Sequence, residues 1–355
     1  MQKRTNRSLH KGREGRNDEF YTRMEYLPAG LAPYREHLKH KKIYCCCDNP
    51  EKSSFVRYFA EHFQELELAG LTATCYCAEP QICRQMTLFG EEEIFSAVKS
   101  EGNGKYWNLA PEQAYGTFEE MIQRNPVSLL NGNGDFRSEE CISIMQEHDI
   151  IITNPPFSLF REYVAQLMEY KKKFLIIGNM NAITYKEIFP LIKENKLWFG
   201  YGFNCSMVFK TQYQNTLEAN RKYVISKGYN PDENYIKTPA VCWFTNLETS
   251  KRNEFLNTGK KYYGYENMYP KYDNYNAINV DKVSDIPMDY DGVMGVPITF
   301  MDKYNPEQFE IIDGLNRYTI LDVVKINDWA KANHIHLTEI NGKSKYLRIL
   351  IKRKS

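Results

Sequence analysis

The sequence predicts an α/β protein built on a largely parallel sheet, and three observations carry that expectation. Short apolar stretches alternate with amphipathic, helix-length stretches from Ile43 to Gly200, the pattern of strands joined by crossover helices. One of those apolar stretches, Asp149–Thr153, runs straight into Asn154-Pro155-Pro156-Phe157, a rigid turn at a strand end. The composition is globular, with 42% hydrophobic and 26% charged residues. At 355 residues the chain is long enough for two domains, or for one large domain with an insertion.

The elements follow in order. Ile43–Cys47 reads as a short strand that stops at Asp48-Asn49-Pro50. Ser53 and Ser54 are helix-capping residues, and they predict a helix from Phe55 to about Glu67. Leu71–Cys77 is a second strand. Residues 80–130 are mixed, with a turn at Gly102-Asn103-Gly104. The loop Gly132-Asn133-Gly134-Asp135 precedes a helix from Ser138 to about Glu147. After Asp149–Thr153, Ser158 opens a helix through Tyr170, and Phe174–Gly178 is the next strand. Thr184–Glu194 reads as helical and Leu197–Gly200 as extended. In open parallel sheets ligands sit beyond the C-terminal strand ends. The loops 48–50, 78–80 and 154–157 should therefore share one rim.

Charge and cysteine usage narrow the classes. Lys plus Arg total 46 against 45 Asp plus Glu, a net charge of +1, so no global field draws the chain to nucleic acid or membrane. Any such binding must come from a local patch. No stretch approaches the roughly 18 apolar residues of a membrane span, and residues 1–20 show no signal-peptide pattern. The nine cysteines include the consecutive Cys45, Cys46 and Cys47 and suggest no disulfide framework, which points to a reducing, cytoplasmic compartment. Cys75, Cys77 and Cys83 lack the paired spacing of zinc sites and read as small buried side chains, so no metal is expected.

Two segments stand apart. Residues 1–16 form a basic tail, with Lys3, Arg4, Arg7, Lys11, Arg13 and Arg16 against Glu14. From about 204 to 295 the texture turns rich in Tyr, Asn and Lys. There Tyr262, Tyr263, Tyr265, Tyr269, Tyr272 and Tyr275 interleave with Lys260, Lys261 and Lys271, a candidate surface for stacking bases and meeting phosphates. A solvated, aromatic-rich linker would have the same composition.

The chemistry lies in Asn154-Pro155-Pro156-Phe157. Two prolines fix the turn and remove two donors, leaving carbonyl oxygens to accept. Asn154 adds a side-chain carbonyl oxygen. Together the Asn154 oxygen and a proline carbonyl can take both hydrogens of a planar amine, which raises the nucleophilicity of its nitrogen. Phe157 offers a flat face to the ring that carries the amine.

This tetrapeptide resembles the [DNS]-P-P-[YFW] motif of amino-group methyltransferases that use S-adenosylmethionine. A wider likeness is more specific. The stretches 44–59, 131–138, 149–178, 178–201 and 295–311 resemble, in order, the EcoRI-type adenine-specific DNA methyltransferases, and the similarity runs from about residue 17 to the C-terminus. The resemblance implies a Rossmann-like catalytic domain over 17–203, a target-recognition region over 204–355, S-adenosyl-L-methionine as cofactor and double-stranded DNA as substrate. It implies that Phe20, Tyr21 and Thr22 border the methionine end of the cofactor. Asp48, Asn49 and Pro50 would line the loop after the first strand, and Asp135 and Phe136 would meet the cofactor's adenine. Asn154, Pro155, Pro156 and Phe157 would be catalytic. Most methyltransferases carry a glycine-rich F-x-G-x-G where this chain has D-N-P, a form the resembled family shares. A cognate restriction endonuclease acting on the same site without direct binding would fit such an enzyme. Methylation of an RNA amine or a protein glutamine, or a non-catalytic DNA-binding relative, remains open from sequence.

Overall fold

The structure is a computed structural model that describes residues 21–77, 81–86, 92–97, 102–203, 205–210, 218–230, 233–315 and 337–354. The basic tail, Phe20 and the loop 78–80 lie outside the described residues. The chain falls into two compact units. The first comprises residues 1–179 and 205–247, and the second comprises 180–204 and 248–355.

The main sheet of the first unit is built from β1 (Lys42–Cys46), β2 (Gly70–Cys75), β3 (Lys105–Leu109), β4 (Ser128–Leu129), β5 (Ile150–Thr153), β6 (Lys173–Asn179), β7 (Cys205–Lys210) and β8 (Tyr235–Thr245). They lie in the order β7-β8-β6-β5-β1-β2-β3-β4. The centre β6-β5-β1-β2 is parallel. Both flanks, β8 with β7 on one side and β3 with β4 on the other, are antiparallel. Every residue of β2 and β5 is buried, so both faces of the central sheet are covered, as parallel strands require. The expected α/β fold is therefore observed, with a parallel core and antiparallel margins.

The helices follow their sequence signals. α1 (Ser54–Glu61) is capped by Ser53, whose hydroxyl accepts from the Phe55 and Val56 N–H groups. It ends at Glu61, short of the expected Glu67. Turns carry the chain onward until Glu67 takes a φ of 53°, a left-handed stop. α2 (Glu139–Gln146) is capped by Ser138. Pro156 leads into a 3-10 turn at Phe157–Leu159 and then α3 (Phe160–Glu169). α3 buries Phe160, Tyr163, Val164 and Leu167, a stripe at helical spacing that faces the core. The stretch 184–194 is less regular than expected: a 3-10 turn at Met180–Thr184 is followed by a short helix at Phe189–Lys193.

The change of texture near residue 203 does not mark the edge of the first unit. Residues 205–247 supply β7 and β8, and β8 pairs with β6 from Val241–Asn179 to Thr245–Leu175. The second unit has its own sheet, β9 (Ile278–Asn279), β10 (Met294–Pro297), β12 (Arg348–Arg353) and β11 (Phe309–Leu315), in that order. β12 is an inner strand of this sheet, antiparallel to both β10 and β11. No helix among the described residues is long and apolar enough to cross a membrane.

Candidate active site

The topology selects the site. From β1 the chain steps to β2 on one side, and β5 later pairs with β1 on the other. That reversal is a topological switch point, where loops part and a ligand crevice opens at the C-terminal strand ends. The loops at this point are 47–53, after β1, and 154–157, after β5.

A buried carboxylate ties the two loops together. Asp48 is 6% exposed. Its Oδ1 accepts from the Ser53 hydroxyl at 2.6 Å, and its Oδ2 accepts from the Thr153 hydroxyl at 2.6 Å. The Asn154 backbone N–H also donates to it. Burial pushes the Asp48 carboxyl up to about 6 against these three opposing hydrogen bonds. Thr153 has a single hydroxyl proton and also contacts the Cys46 carbonyl. That one proton is therefore shared between the Asp48 carboxylate and the Cys46 carbonyl oxygen. Asn154 therefore starts from a fixed backbone, held by the buried strand β5 before it and by the Asp48 carboxylate of the neighbouring loop.

The turn itself is well defined. Pro155 is buried, and Asn154, Pro156 and Phe157 are half-buried. The Pro156 carbonyl accepts from the Leu159 N–H at 3.0 Å, closing the 3-10 turn. Phe157 meets Phe209 of β7 edge to face, with ring centres 6.2 Å apart.

β7 also receives the N-terminal element. The Tyr21 N–H donates to the Lys210 carbonyl at 2.8 Å, and the Lys210 N–H returns a bond to Tyr21 at 3.1 Å. Thr22 follows, 4% exposed, and its hydroxyl finds no hydrogen-bond partner among the described residues. A buried hydroxyl left in that state is costly, and it suits a ligand contact.

On the other side of β1 the chain takes a different turn. Where a glycine-rich loop would begin, Cys47 adopts φ 66°, a left-handed conformation that glycine holds at no steric cost. Asn49 closes the D-N-P turn by accepting from the Glu51 N–H. Beyond β2, the Cys77 N–H donates to the Asn133 carbonyl at 2.9 Å. Gly134, at φ 78°, packs so closely that a Cβ there would lie 2.3 Å from the Cys75 carbonyl oxygen. Asp135 is held by Arg137, Nε to Oδ1 at 2.9 Å and Nη2 to Oδ2 at 2.7 Å, and Arg137 also pairs with Glu162 of α3. The helix cap is Ser138, so Asp135 does not serve as one. Phe136 is 4% exposed and lies edge-on to Tyr163, 4.9 Å away. It anchors the loop from the core.

The structure thus places Tyr21–Thr22, Phe157, Asn154, Asp48 and Gly134–Asp135 along one rim, linked through β7, β5, β1 and β2. Ser53, Thr153 and Arg137 are partners that sequence reading missed. Ser53 gave a signal as a helix cap, but its second bond to Asp48 did not. Cys75 is buried and Cys77 half-buried, while the Cys83 side chain is outside the description.

Comparisons with known proteins identify the family. The family model described as adenine-specific methyltransferase EcoRI matches residues 8–354. The chain is similar to the Type II methyltransferase M.EcoRI of Escherichia coli, 43% identical over 354 residues, covering 99% of this chain and 97% of that protein. It is also similar to M.MpnI of Mycoplasma pneumoniae, 35% identical with 98% of each chain covered, and to M.MgeORF184P of Mycoplasma genitalium, 34% identical with 97% and 98% covered. No solved structure matches. With the family model spanning nearly its whole length, the chain belongs to the EcoRI family of adenine-specific methyltransferases.

Proposed function

We propose that this adenine methyltransferase moves a methyl group from S-adenosyl-L-methionine to the exocyclic 6-amino group of an adenine in double-stranded DNA. The amine is paired and stacked within the duplex, so the base must leave the helix to reach the rim. The observation that carries the reading is the Asn154–Phe157 turn at the switch point, its backbone held by the buried Asp48.

Each group then has a role. The Asn154 side-chain oxygen and the Pro155 carbonyl accept the two amine hydrogens, because the Pro156 carbonyl already serves Leu159. Accepting both hydrogens draws the nitrogen toward tetrahedral geometry and frees its lone pair. The bound cofactor supplies an electrophilic sulfonium methyl at that point. The surplus proton on the methylated nitrogen passes to water. Phe157 stacks on the adenine. Thr22, with its buried hydroxyl, and Tyr21 would hold the methionine end of the cofactor, together with Phe20. Asp135 would accept from its adenine amine, with Phe136 anchoring that loop. Asp48, Asn49 and Pro50 would shape the crevice between them.

The recognition function falls to the residues after 204, including the second unit over 248–355, with the basic tail 1–16 adding phosphate contacts. The named relatives come from bacteria, and the cytoplasm is the compartment this reading assigns. A restriction endonuclease that reads the same site without binding this chain would be the functional counterpart. The test is single-turnover transfer of labelled methyl to an adenine-containing duplex, beside RNA and glutamine-containing peptide. Labelling of RNA or peptide in preference to the duplex would overturn the assignment of DNA.

A further inference from the structure

The tyrosine-rich segment of the second unit separates, in the structure, into rings that build and rings that are presented. Tyr269 and Tyr272 are buried at 4% and 5% exposure. The Tyr269 hydroxyl donates to the Asp285 carbonyl, and the Tyr272 hydroxyl donates to Asn279. Tyr275 packs against the core cluster of Tyr272, Leu337 and Leu350. Tyr262 lies against Tyr290 at 4.3 Å and against Tyr269 at 5.7 Å. Only two of the six tyrosines point outward: Tyr263 is 60% exposed and Tyr265 is 58% exposed, with Met268 beside them at 60%.

The turn that carries these rings is built firmly. The Tyr262 N–H donates to Asp289 at 2.6 Å, and the Met288 N–H donates to the Lys260 carbonyl at 2.9 Å. The Tyr265 N–H closes on the Tyr262 carbonyl at 2.9 Å, and the Met268 N–H closes on Tyr265 at 2.9 Å. Gly264, between the two exposed rings, stands at φ 90°, where a side chain would be strained. Glu266, the acid of the turn, is directed back onto the Gly264 N–H at 3.0 Å. Lys260 and Lys261 lead into the turn, both exposed.

Tyr263, Tyr265 and Met268 gather on one fixed turn, and an exposed cluster of this kind marks an interaction site. Aromatic faces flanked by cations match one ligand chemistry well: stacked bases bordered by phosphates. We propose that the turn Lys260–Met268 is a wedge for duplex DNA, in which Tyr263 and Tyr265 stack on base faces at an opened step and Lys260 and Lys261 contact the adjoining phosphates. The inference rests on the reading of the chain as a DNA methyltransferase and adds to it the contact residues and their mode. Because the turn is fixed before binding, little ordering entropy opposes insertion.

The test uses closed-circular plasmid that the wild-type protein methylates, which establishes the DNA reading independently. A type I topoisomerase relaxes the plasmid in the presence of protein, and the change in linking number reports the unwinding that insertion causes. Tyr263→Ala with Tyr265→Ala should abolish most of that unwinding and weaken binding by roughly fivefold to a hundredfold per ring. Tyr263→Phe with Tyr265→Phe keeps both ring faces and should behave as wild type. Lys260→Gln with Lys261→Gln should lower the slope of log affinity against log salt by about 1–2 while unwinding persists at low salt. All these residues are exposed, so the variants leave the core untouched. Wild-type unwinding and affinity in the alanine pair would overturn the wedge, and so would loss of both in the phenylalanine pair, which would assign the hydroxyls instead. If the alanine pair alters only sedimentation, the patch joins copies of the chain and the wedge is wrong. Failure of the wild type to methylate the plasmid would instead refute the DNA reading itself.

Discussion

The rim at the switch point and the tyrosine turn of the second unit are both preorganised, by opposite means. At the rim a polar group is buried and over-determined: Asp48 takes Ser53, Thr153 and the Asn154 N–H, with its carboxyl pushed up to about 6. At the tyrosine turn Asp289 and Glu266 serve backbone N–H groups, and tyrosine rings are left in solvent. The first arrangement suits chemistry on one amine, where a small misplacement of an acceptor is costly. The second suits a long polymer that must be gripped and deformed. Substitutions should therefore separate, those at the rim changing transfer rate, cofactor affinity or stability and those at the turn changing DNA affinity.

The largest effect is expected at Asn154. Asn154→Ala removes one acceptor and leaves the turn and its Asp48 contact in place. Methyl transfer should fall by at least about a hundredfold, on the order of 3 kcal/mol, as for loss of one preorganised polar contact. Cofactor affinity should hold, and Asn154→Asp should keep part of the activity because an oxygen remains. Single-turnover rates decide the matter, and a wild-type rate in Asn154→Ala would reduce the motif to a turn.

Asp48 sharpens the comparison through pH. Its carboxyl ordinarily titrates at 3.8 and is raised to about 6 in the fold. The folded state therefore binds the proton more tightly than the unfolded chain. The stability that proton confers is complete below pH 3.8 and is lost as the pH rises through about 6. The shift corresponds to about 3 kcal/mol. Chemical denaturation at intervals between pH 4 and pH 7 should show this loss in the wild type and not in Asp48→Asn. An identical pH slope in both proteins would mean that Asp48 is ionised like any surface acid.

Asp135 comes next. It is the rim residue whose partner, Arg137, is itself partly exposed, so its loss should be felt by a ligand more than by the fold. Asp135→Ala should weaken S-adenosyl-L-methionine binding by roughly ten- to a hundredfold, about 1.5–3 kcal/mol for a charge-assisted bond. Calorimetric titration of both proteins measures this. Equal affinity with a lower melting temperature would leave Asp135 only its bond to Arg137.

What was legible in the sequence was local. The strand into Asn154-Pro155-Pro156-Phe157, the Ser53 and Ser138 caps and the turn glycine Gly134 each carry their signal within a few residues. What was not legible depends on contacts across the chain. Thr153 and Asp48 meet at a separation of 105 residues, and no periodicity announces it. β7 and β8 lie in a Tyr-, Asn- and Lys-rich stretch whose composition reads as the start of another region, yet backbone pairing places them in the first sheet. The tyrosines at 262–275 look alike in sequence. Only tertiary packing sorts Tyr269 and Tyr272 into the interior and leaves Tyr263 and Tyr265 outside.

The smallest effect is expected at Phe157, and it tests whether the rim tolerates change where it presents a face instead of an acceptor. The ring is half-buried and meets Phe209 at right angles, an arrangement worth about 0.5–1.5 kcal/mol beyond area burial. Phe157→Tyr retains that ring and its stacking face. Its added hydroxyl sits on a half-exposed side chain, where water can satisfy it. Transfer should therefore stay within about threefold of wild type, a difference below roughly 0.7 kcal/mol. Phe157→Ala loses both the Phe209 contact and the face offered to the base, and its rate should drop further than that of the tyrosine variant at the same cofactor affinity. Measured side by side, the two variants distinguish a stacking surface from a core residue. If tyrosine is as damaging as alanine, the para position is enclosed and Phe157 packs inward instead of meeting the target base.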